Sequence, residues 1–351
     1  MDKENINLLV VGPGAIGTAV ATPLAANNIH VRVLGRERHK EFFSKKKMVY
    51  NSSKGKLEGK VVGVTIDDLQ NEKEWKPDAI LITLKANSTI EVIKQLEQIY
   101  DQEIPIVSLQ NGLIAEEIAK ESHFKKVIAC VVGFNVKLVD TGIAEQTSEG
   151  DLVIGRIGKE KEVKSEDVPD FIPKVLEFVA PTKVSDNIIS DVWMKLMINS
   201  TINPICAIGD MPLGEIARTK AAIYLSLWNW KEMVDVAKAL GLKLNPFQGA
   251  LFAEALYVYD IISFGIAKNV LKRIVAPHKN AIVSMLQDIR NGKTTEIDYL
   301  NGKVYEIGSK LGVKMPTNKM LIKTIKEIEK GNKKPGKGLL NKLFRESILA
   351  K

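Results

Sequence analysis

The chain has 351 residues, which exceeds the usual size of one domain and predicts two. Hydrophobic residues make up 45% and charged residues 26%, a globular composition that argues against disorder. The net charge of +8 permits an anionic partner, but no basic stripe is interleaved with aromatic residues, so we expect no nucleic-acid partner.

The two cysteines, Cys130 and Cys206, lie in apolar surroundings without metal-ligand spacing, and so few cysteines do not indicate a secreted disulfide framework. The polar start of the chain lacks the pattern of a signal peptide. No apolar run is long enough to cross a membrane. We therefore expect a cytoplasmic protein with no membrane span and no metal site.

From Ile6 to about Gly155, short β-branched runs alternate with amphipathic stretches such as Ile16–Ala26 and Thr89–Ile99. The strand candidates are Asn7–Val11, Val31–Leu34, Ala79–Thr83, Ile106–Ser108 and Val127–Val132. This alternation predicts a parallel sheet with helices on both faces. Phe134–Val139 and Leu152–Ile157 are expected to be added strands at one end of the same domain.

After about Val184 helical periodicity dominates, which predicts an all-α domain. The helix candidates are Ile188–Ala207, Ala221–Leu240, Ala250–Ile274, His278–Arg290 and Glu296–Leu311. The expected organisation is an α/β domain over 1–185, a helical domain over 186–330 and a basic tail over 331–351. Leu339–Leu349 has the pattern of a short amphipathic helix, but we favour a frayed surface tail over a partner-binding segment.

A glycine-rich loop follows the first strand and opens a helix, the context in which such a loop binds a dinucleotide. Its residues are Gly12, Pro13, Gly14, Ala15, Ile16 and Gly17. Gly12 permits a tight turn, Gly14 lets backbone N–H groups approach a pyrophosphate, and Gly17 lets the helix pack on the strand. The loop predicts a Rossmann-type, doubly wound domain.

The end of the second strand distinguishes the two nicotinamide cofactors. Arg36 stands where NAD enzymes commonly place an acidic residue, and its guanidinium suits a 2′-phosphate, so we favour NADPH. Glu37 leaves an alternative, since a carboxylate one position along would accept from a ribose 2′-hydroxyl. Arg36 and Arg38 would otherwise be exposed charges at the start of a helix.

Polar residues follow two neighbouring strands where ligands of open α/β sheets bind. Lys85 comes after Ala79–Thr83, and Asn111 comes after Ile106–Ser108. Each residue alone is also consistent with an ordinary loop, and Gln110-Asn111-Gly112 has good turn chemistry. Together they predict the nicotinamide end of a cofactor cleft.

The first helix of the second domain carries a polar stripe. Lys195, Asn199 and Asn203 recur every four residues and therefore share one face of an otherwise apolar helix. A lysine and two amides on such a helix are costly unless they have partners. A lysine there is a competent general acid for a carbonyl oxygen, although it could instead reach water while the asparagines bridge helices.

Two further blocks contain Ser284 and Glu296, which are unremarkable in isolation. Thr294 or Thr295 with Glu296 resembles the start of a helix, and a capping role would account for the acid.

Taken together, these pieces resemble the ketopantoate reductase (2-dehydropantoate 2-reductase) family along the chain to about residue 330. The resemblance rests on the glycine loop, Thr83–Ala86, Gln110–Gly112, Lys195–Pro204, Ser284–Arg290 and Thr295–Gly302. It implies a C-terminal domain like that of 6-phosphogluconate dehydrogenase, and a cytoplasmic enzyme that closes NADPH and a 2-keto acid between two domains. The product would be pantoate, on the route to pantothenate and coenzyme A.

The resemblance also assigns roles to residues. Lys195 would donate the proton to the ketone oxygen, and Glu296 would position that lysine, the substrate and the cofactor. Asn111, Asn199, Asn203 and Ser284 would hold the oxygens of the substrate. Lys85 and Asn111 would lie beside the nicotinamide ribose, and Arg36 would meet the 2′-phosphate.

The chain departs from the family at Leu213, where some members have an asparagine that touches substrate. A lost polar contact shifts discrimination markedly, so a different small 2-keto acid remains an alternative. A non-catalytic protein that senses NADPH is a third interpretation, supported by the basic tail and opposed by the intact lysine stripe. Exposed helical surface in the second domain is compatible with a homodimer.

Overall fold

The computed structural model describes residues 6–72, 74–158, 167–244, 269, 271–272, 275–276 and 279–349. These residues belong to two compact units, Met1–Val192 and Trp193–Lys351. The predicted helix Ala250–Ile274 lies almost entirely outside the described residues and stays a prediction. In the described part of the chain, no helix combines the length and the apolar character needed to cross a membrane.

The main sheet of the first unit has eight strands in the order β12-β11-β8-β7-β6-β1-β2-β5. Its strands are β1 (Asn7–Val11), β2 (His30–Leu34), β5 (Val62–Val64), β6 (Ala79–Ile82), β7 (Ile106–Ser108), β8 (Val127–Val132), β11 (Leu152–Ile157) and β12 (Thr182–Val184). All pairs are parallel except β8 with β11, which run antiparallel. The chain starts at β1, builds outward through β2 and β5, and then returns to β6 on the other side of β1. The carboxyl end of β1 is therefore the point at which ligands of doubly wound sheets bind.

Hydrophobic runs explain the centre of this sheet. Leu8 through Val11 and Ala79 through Ile82 are almost fully buried, as expected for parallel strands covered on both faces. The helices of this unit are α1 (Ala15–Ala26), α2 (Glu37–Lys45), α3 (Ile66–Asn71), α4 (Thr89–Leu96), α5 (Ile114–Glu121) and α6 (Phe171–Leu176). The N-terminal domain is thus the predicted α/β fold.

A second sheet of four strands, in the order β4-β3-β10-β9, packs against α1. Its strands are β3 (Met48–Ser52), β4 (Gly55–Gly59), β9 (Asn135–Asp140) and β10 (Ile143–Ser148). A Cβ atom at Gly59 would lie 2.6 Å from the carbonyl oxygen of Thr22, so the close approach of β4 to α1 requires glycine. Both added strands predicted for this domain are present: the one predicted over Phe134–Val139 is β9, at the edge of the second sheet, and Leu152–Ile157 extends the main sheet.

The described part of the second unit is helical. Its helices are α7 (Ile188–Gly209), which crosses the division between the units, α8 (Lys220–Ala239), α9 (Ser284–Arg290), α10 (Lys303–Lys310), α11 (Pro316–Glu329) and α12 (Lys337–Leu349). A 3-10 helix spans Leu213–Arg218, and a π-helix spans Asp298–Gly302. The predicted helix His278–Arg290 begins only at Ser284, because residues 279–283 form a turn and an irregular stretch.

The expectation of a frayed C-terminal tail was wrong for Lys337–Leu349. Leu340 and Leu343 of α12 are buried, and Phe344 stacks on Tyr224 and Trp228 of α8 at ring-centre distances of 5.2 and 5.8 Å. The apolar face of this short helix, rather than its lysines, decides where the segment lies.

Candidate active site

The glycine loop joins the ends of three adjacent strands. Gly12 has a φ of +105°, a conformation that favours glycine, and its N–H donates to the Leu34 carbonyl at the end of β2 (3.0 Å). From the end of β6, the Thr83 hydroxyl donates to the Gly12 carbonyl at 2.7 Å. The loop is therefore held in one conformation by the strands on either side of β1.

The loop has the shape of a phosphate cradle. A Cβ atom at Gly17 would lie 1.9 Å from the Gly12 carbonyl oxygen, so only glycine lets α1 start this close to the loop. A Cβ atom at Gly14, the residue before α1, would meet no protein atom within 4 Å. The first turn of α1 holds no acidic residue, so the positive end of the helix dipole faces this open space. Pro13, Ala15 and Ile16 are half-buried around it.

A positive cluster follows β2. Arg36, Glu37 and Arg38 are exposed, with Glu37 in the first turn of α2, where its carboxylate is favourable to the helix dipole. Burial, together with the guanidinium groups of Arg38 and Arg36, lowers the pKa of His39. The neutral imidazole accepts the Arg36 N–H at its Nδ1 atom (3.0 Å), which fixes the turn that presents the arginines.

The loops after β6 and β7 are tied together by Gln110. Its Nε2 atom donates to the Leu84 carbonyl at 2.8 Å and to the Thr89 hydroxyl, while its Oε1 atom accepts from Ser108 at 3.1 Å. Lys85 is exposed and follows Leu84; Asn111 is half-buried and follows Gln110. Both residues therefore lie at the carboxyl edge of neighbouring strands, as predicted.

In the second unit, α7 carries the predicted polar stripe. Lys195 and Asn199 are half-buried, and Asn203 is only 6% exposed. Four residues per repeat keep all three on one face of the helix. A lysine ammonium can donate a proton, and the side-chain amides on the same face can bind oxygen atoms beside it.

Glu296 and Ser284 both lie at the starts of helical segments. Glu296 is half-buried, and its carbonyl accepts the N–H groups of Tyr299 and Leu300. The Thr295 hydroxyl accepts the Ile297 N–H at 3.2 Å, so the threonine makes a capping contact. Ser284 is exposed at the first position of α9.

Leu213 is a buried residue of the second unit, with 9% of its surface exposed. Its N–H donates to the Ala281 carbonyl at 3.0 Å. The departure from the family pattern therefore lies against the segment that leads, three residues later, to Ser284.

The predicted residues form one set in each unit. The glycine loop, Arg36, Lys85 and Asn111 line the carboxyl edge of β2, β1, β6 and β7. Lys195, Asn199, Asn203, Ser284 and Glu296 belong to the helical unit. Among the described residues, no group of three or more histidine, cysteine or acidic side chains is placed to hold a metal ion.

Sequence reasoning gave no role to Thr83 and Gln110, although both lie in quoted motifs. Their function is to brace the loops through the hydrogen bonds above. The sequence did contain a signal for this role, because Thr83 and Gln110 place a hydroxyl and an amide just after the ends of β6 and β7. A small cavity between Trp75 and Tyr100 lies at the opposite edge of the sheet and has no part in this site.

Two family models match the chain along most of its length. The family model described as ketopantoate reductase PanE/ApbA matches residues 8–159, and its C-terminal counterpart matches residues 187–329. The 2-dehydropantoate 2-reductase of Pyrococcus abyssi is 29% identical over 323 residues, covering 92% of this chain and 97% of the relative.

Two solved structures share the fold with a TM-score of 0.76, each covering 93% of this chain and 99% of the other. One is a PanE/ApbA family ketopantoate reductase from Ralstonia eutropha JMP134, 22% identical. The other is D-mandelate dehydrogenase in a ternary structure with NADH and anilino(oxo)acetate, 21% identical.

Proposed function

Because the chain belongs to the ketopantoate reductase family, we propose that it reduces 2-dehydropantoate to pantoate with NADPH, within pantothenate and coenzyme A biosynthesis. It is an oxidoreductase that acts on a CH–OH group. The observation that carries the proposal is Lys195, half-buried and in line with Asn199 and Asn203 on α7.

The first unit would bind the cofactor. Backbone N–H groups around Gly14 and the start of α1 would hold the pyrophosphate, for which the open space beside Gly14 leaves room. Arg36 would pair with the 2′-phosphate, and Lys85 and Asn111 would lie beside the nicotinamide ribose. The Arg36 guanidinium favours NADPH over NADH, because NADH lacks the extra anionic group.

The second unit would act on the substrate. Bound NADPH supplies a hydride to the ketone carbon, and Lys195 would give its ammonium proton to the ketone oxygen, so that the alcohol forms without a charged oxygen. Asn199, Asn203 and Ser284, with Asn111 from the first unit, would hold the oxygens of the keto acid. Glu296 would position Lys195, the substrate and the cofactor.

Replacing the proposed proton donor is the direct test. Lys195→Met should lower kcat by about 100-fold or more, the usual contribution of a general acid, while NADPH still binds. The measurements are NADPH oxidation with ketopantoate and a fluorescence titration with NADPH. Lys220→Met removes an exposed lysine at the start of α8 and is the matched control. Wild-type turnover in Lys195→Met would contradict the proposal.

A reductase for another 2-keto acid is the second candidate, and Leu213 favours it. A buried leucine offers no hydrogen bond where some family members have an asparagine, and it suits an apolar substituent. D-mandelate dehydrogenase, which shares the fold, is named for an aromatic 2-hydroxy acid. Rates measured with a panel of branched and aromatic 2-keto acids, compared with the rate for ketopantoate, separate the two candidates. If ketopantoate is the poorer substrate of the wild type, Leu213→Asn should shift the preference toward it.

A third candidate, a protein that senses NADPH without catalysis, predicts binding with no turnover of any keto acid in the same panel. The polar stripe on α7 argues against it, since a sensor needs no proton donor.

A further inference from the structure

Pro204 lies inside α7 and leaves one carbonyl of that helix without its usual partner. In an α-helix the carbonyl of residue 200 accepts the N–H of residue 204, and proline has none. Ser200 is completely buried, so water cannot replace the missing donor. A buried carbonyl without a donor destabilises the fold, so another donor is required. This carbonyl lies one residue beyond Asn199, next to the proposed catalytic stripe.

Two buried asparagine side chains supply the missing donors. Asn301 donates from Nδ2 to the Ser200 carbonyl at 2.7 Å, and Asn229 of α8 donates to the same oxygen at 3.1 Å. Neither asparagine is exposed to solvent. The two lone pairs of one carbonyl therefore hold two other segments of the second unit against α7.

Asn301 is part of the segment that carries Glu296. The π-helix Asp298–Gly302 begins two residues after Glu296. The Leu300 N–H donates to the Glu296 carbonyl, and the Gly302 N–H donates to the Ile297 carbonyl. The wide turn directs the Asn301 side chain into the core. A shift of Asn301 would therefore move the backbone of Glu296.

The other side of Asn301 is fixed by α11. Its Nδ2 atom also donates to the Asn318 side-chain oxygen at 2.6 Å, and Asn318 donates back to the Asn301 carbonyl at 2.9 Å. The buried Glu232 carboxylate accepts the Asn318 N–H at 2.8 Å and anchors the start of α11. The Oδ1 atom of Asn301 has no partner within the described part of the chain, so both of its side-chain bonds depend on the NH₂ group.

We propose that Asn301 is a positioning residue, which uses the Ser200 carbonyl released by Pro204 to set Glu296 against the Lys195–Asn199–Asn203 face of α7. The inference rests on the proposed function for the roles of Lys195 and Glu296. Beyond the proposed function, the position of the Glu296 segment relative to α7 is assigned to one buried hydrogen bond, from Asn301 to the Ser200 carbonyl. A misplacement of about 1 Å in such a constellation is enough to lower turnover by up to about 100-fold.

Asn229 provides the matched control, because it bonds the same carbonyl but lies on α8 and not on the segment that carries Glu296. Each asparagine also donates to one side-chain oxygen, Asn229 to Thr201 at 3.0 Å and Asn301 to Asn318. Asn301→Ala and Asn229→Ala should therefore lower the melting temperature by similar amounts. Only Asn301→Ala should lower kcat, by about tenfold or more, with an unchanged NADPH dissociation constant. Asn301→Ser, whose shorter side chain cannot span the same distance, is the milder variant if the alanine variant does not fold.

Hydrogen exchange measured by mass spectrometry separates the possible failures. Exchange over residues 296–302 should accelerate in the Asn301 variant and not in the Asn229 variant. Equal losses of kcat in both variants, or wild-type kcat in Asn301→Ala, would overturn the positioning role while leaving the proposed function standing. A wild-type enzyme that reduces no keto acid would overturn the proposed function, and unchanged exchange over 296–302 would overturn the anchoring by itself.

Discussion

At Gly17, a single added Cβ atom would clash with the glycine loop. Its Cβ would lie 1.9 Å from the Gly12 carbonyl oxygen and 2.8 Å from Thr83 Oγ1, so α1 would have to move away from the loop. We expect Gly17→Ala to lower stability by about 1–3 kcal/mol, the usual cost of overpacking, and to weaken NADPH binding at least tenfold. Thermal unfolding and a fluorescence titration measure the two effects.

Gly14→Ala is the contrasting variant. The added Cβ meets no protein atom within 4 Å, so we expect the melting temperature to stay close to that of the wild type. The same atom would occupy the space that a pyrophosphate needs, so NADPH binding should weaken as strongly as in Gly17→Ala. Normal NADPH affinity in Gly14→Ala would place the dinucleotide elsewhere.

The choice between NADPH and NADH is predicted to depend on Arg36 and on pH. Arg36→Ala should raise the NADPH dissociation constant at least tenfold, the equivalent of one charge-assisted pair, and leave that of NADH unchanged. Arg38→Ala, which removes the exposed arginine two residues further along the chain, is the control. Equal effects on both cofactors would assign Arg36 a structural role at the start of α2.

The pH dependence follows from His39. Burial and the neighbouring arginines lower its pKa below 6.5 in the free protein, so the side chain is neutral near pH 7. A bound 2′-phosphate would favour the protonated form, so the preference for NADPH over NADH should increase as pH falls from about 8 to about 6. His39→Gln should remove the part of this pH dependence that comes from the imidazole. The 2′-phosphate itself titrates in both proteins, so the difference between wild type and His39→Gln isolates the contribution of His39. A pH-independent ratio in both proteins would exclude His39 from the phosphate site.

At the scale of elements, α12 is the segment whose removal has the clearest predicted effect. Deleting residues 337–351 uncovers Tyr224 and Trp228 and removes the buried side chains of Leu340 and Leu343. Each buried leucine stabilises the folded unit by about 1.5–3 kcal/mol, so we expect the truncated protein to unfold at a clearly lower temperature.

Thermal unfolding followed by tryptophan fluorescence measures this loss, and NADPH affinity serves as a check that the first unit is intact. Phe344→Ala should reproduce part of the effect, whereas Leu349→Ala should not, because Leu349 is 87% exposed. An unchanged melting temperature in the truncated protein would mean that α12 does not stabilise the unit.

The elements that sequence patterns predicted well are those with strong local signals. The six strands of the main sheet that were predicted are short apolar runs, and α7 and α8 have long helical periods. The bounds of these elements differ from the predicted ones by at most two residues. β5 and β12 were missed, because each has only three residues. β10 was missed because Ile143 and Ala144 are its only apolar residues. β3 and β4 form a hairpin whose two-residue turn is followed by Gly55, and these turn residues were a signal that was not used.

The parts of the candidate site that lie within one local sequence motif could be predicted. The glycine loop and the stripe on α7 follow from spacing, and the carboxyl-edge positions of Lys85 and Asn111 follow from strand order. The contacts of Asn301 and Gln110 did not follow, because they join segments far apart in the chain. The packing of α12 on α8 could not be predicted either, because the same local sequence pattern is compatible with a solvated basic tail and with a packed amphipathic helix.

At the scale of the whole molecule, charge is the property that acts over distance. The net charge is +8, and exposed basic residues include Lys45, Lys46 and Lys47 at the end of α2 and just after it, while Arg36 precedes the start of the same helix. Both proposed ligands, NADPH and a keto acid, are anions. A positive molecule attracts them over roughly 10 Å at moderate ionic strength, and added salt screens this attraction.

We therefore expect kcat/KM for NADPH to fall several-fold, up to about tenfold, as sodium chloride is raised from about 0.02 to about 0.2 M, while kcat changes little. Steady-state rates at fixed pH measure both quantities, and sucrose of matched osmolality controls for effects other than charge. Replacing Lys45, Lys46 and Lys47 with glutamate lowers the net charge by two units at each position without touching the glycine loop. If the field of the whole molecule steers the cofactor, this variant should bind NADPH more slowly and depend less on salt. If the salt dependence is unchanged in the variant and lost in Arg36→Ala, the attraction resides in the single contact with the 2′-phosphate.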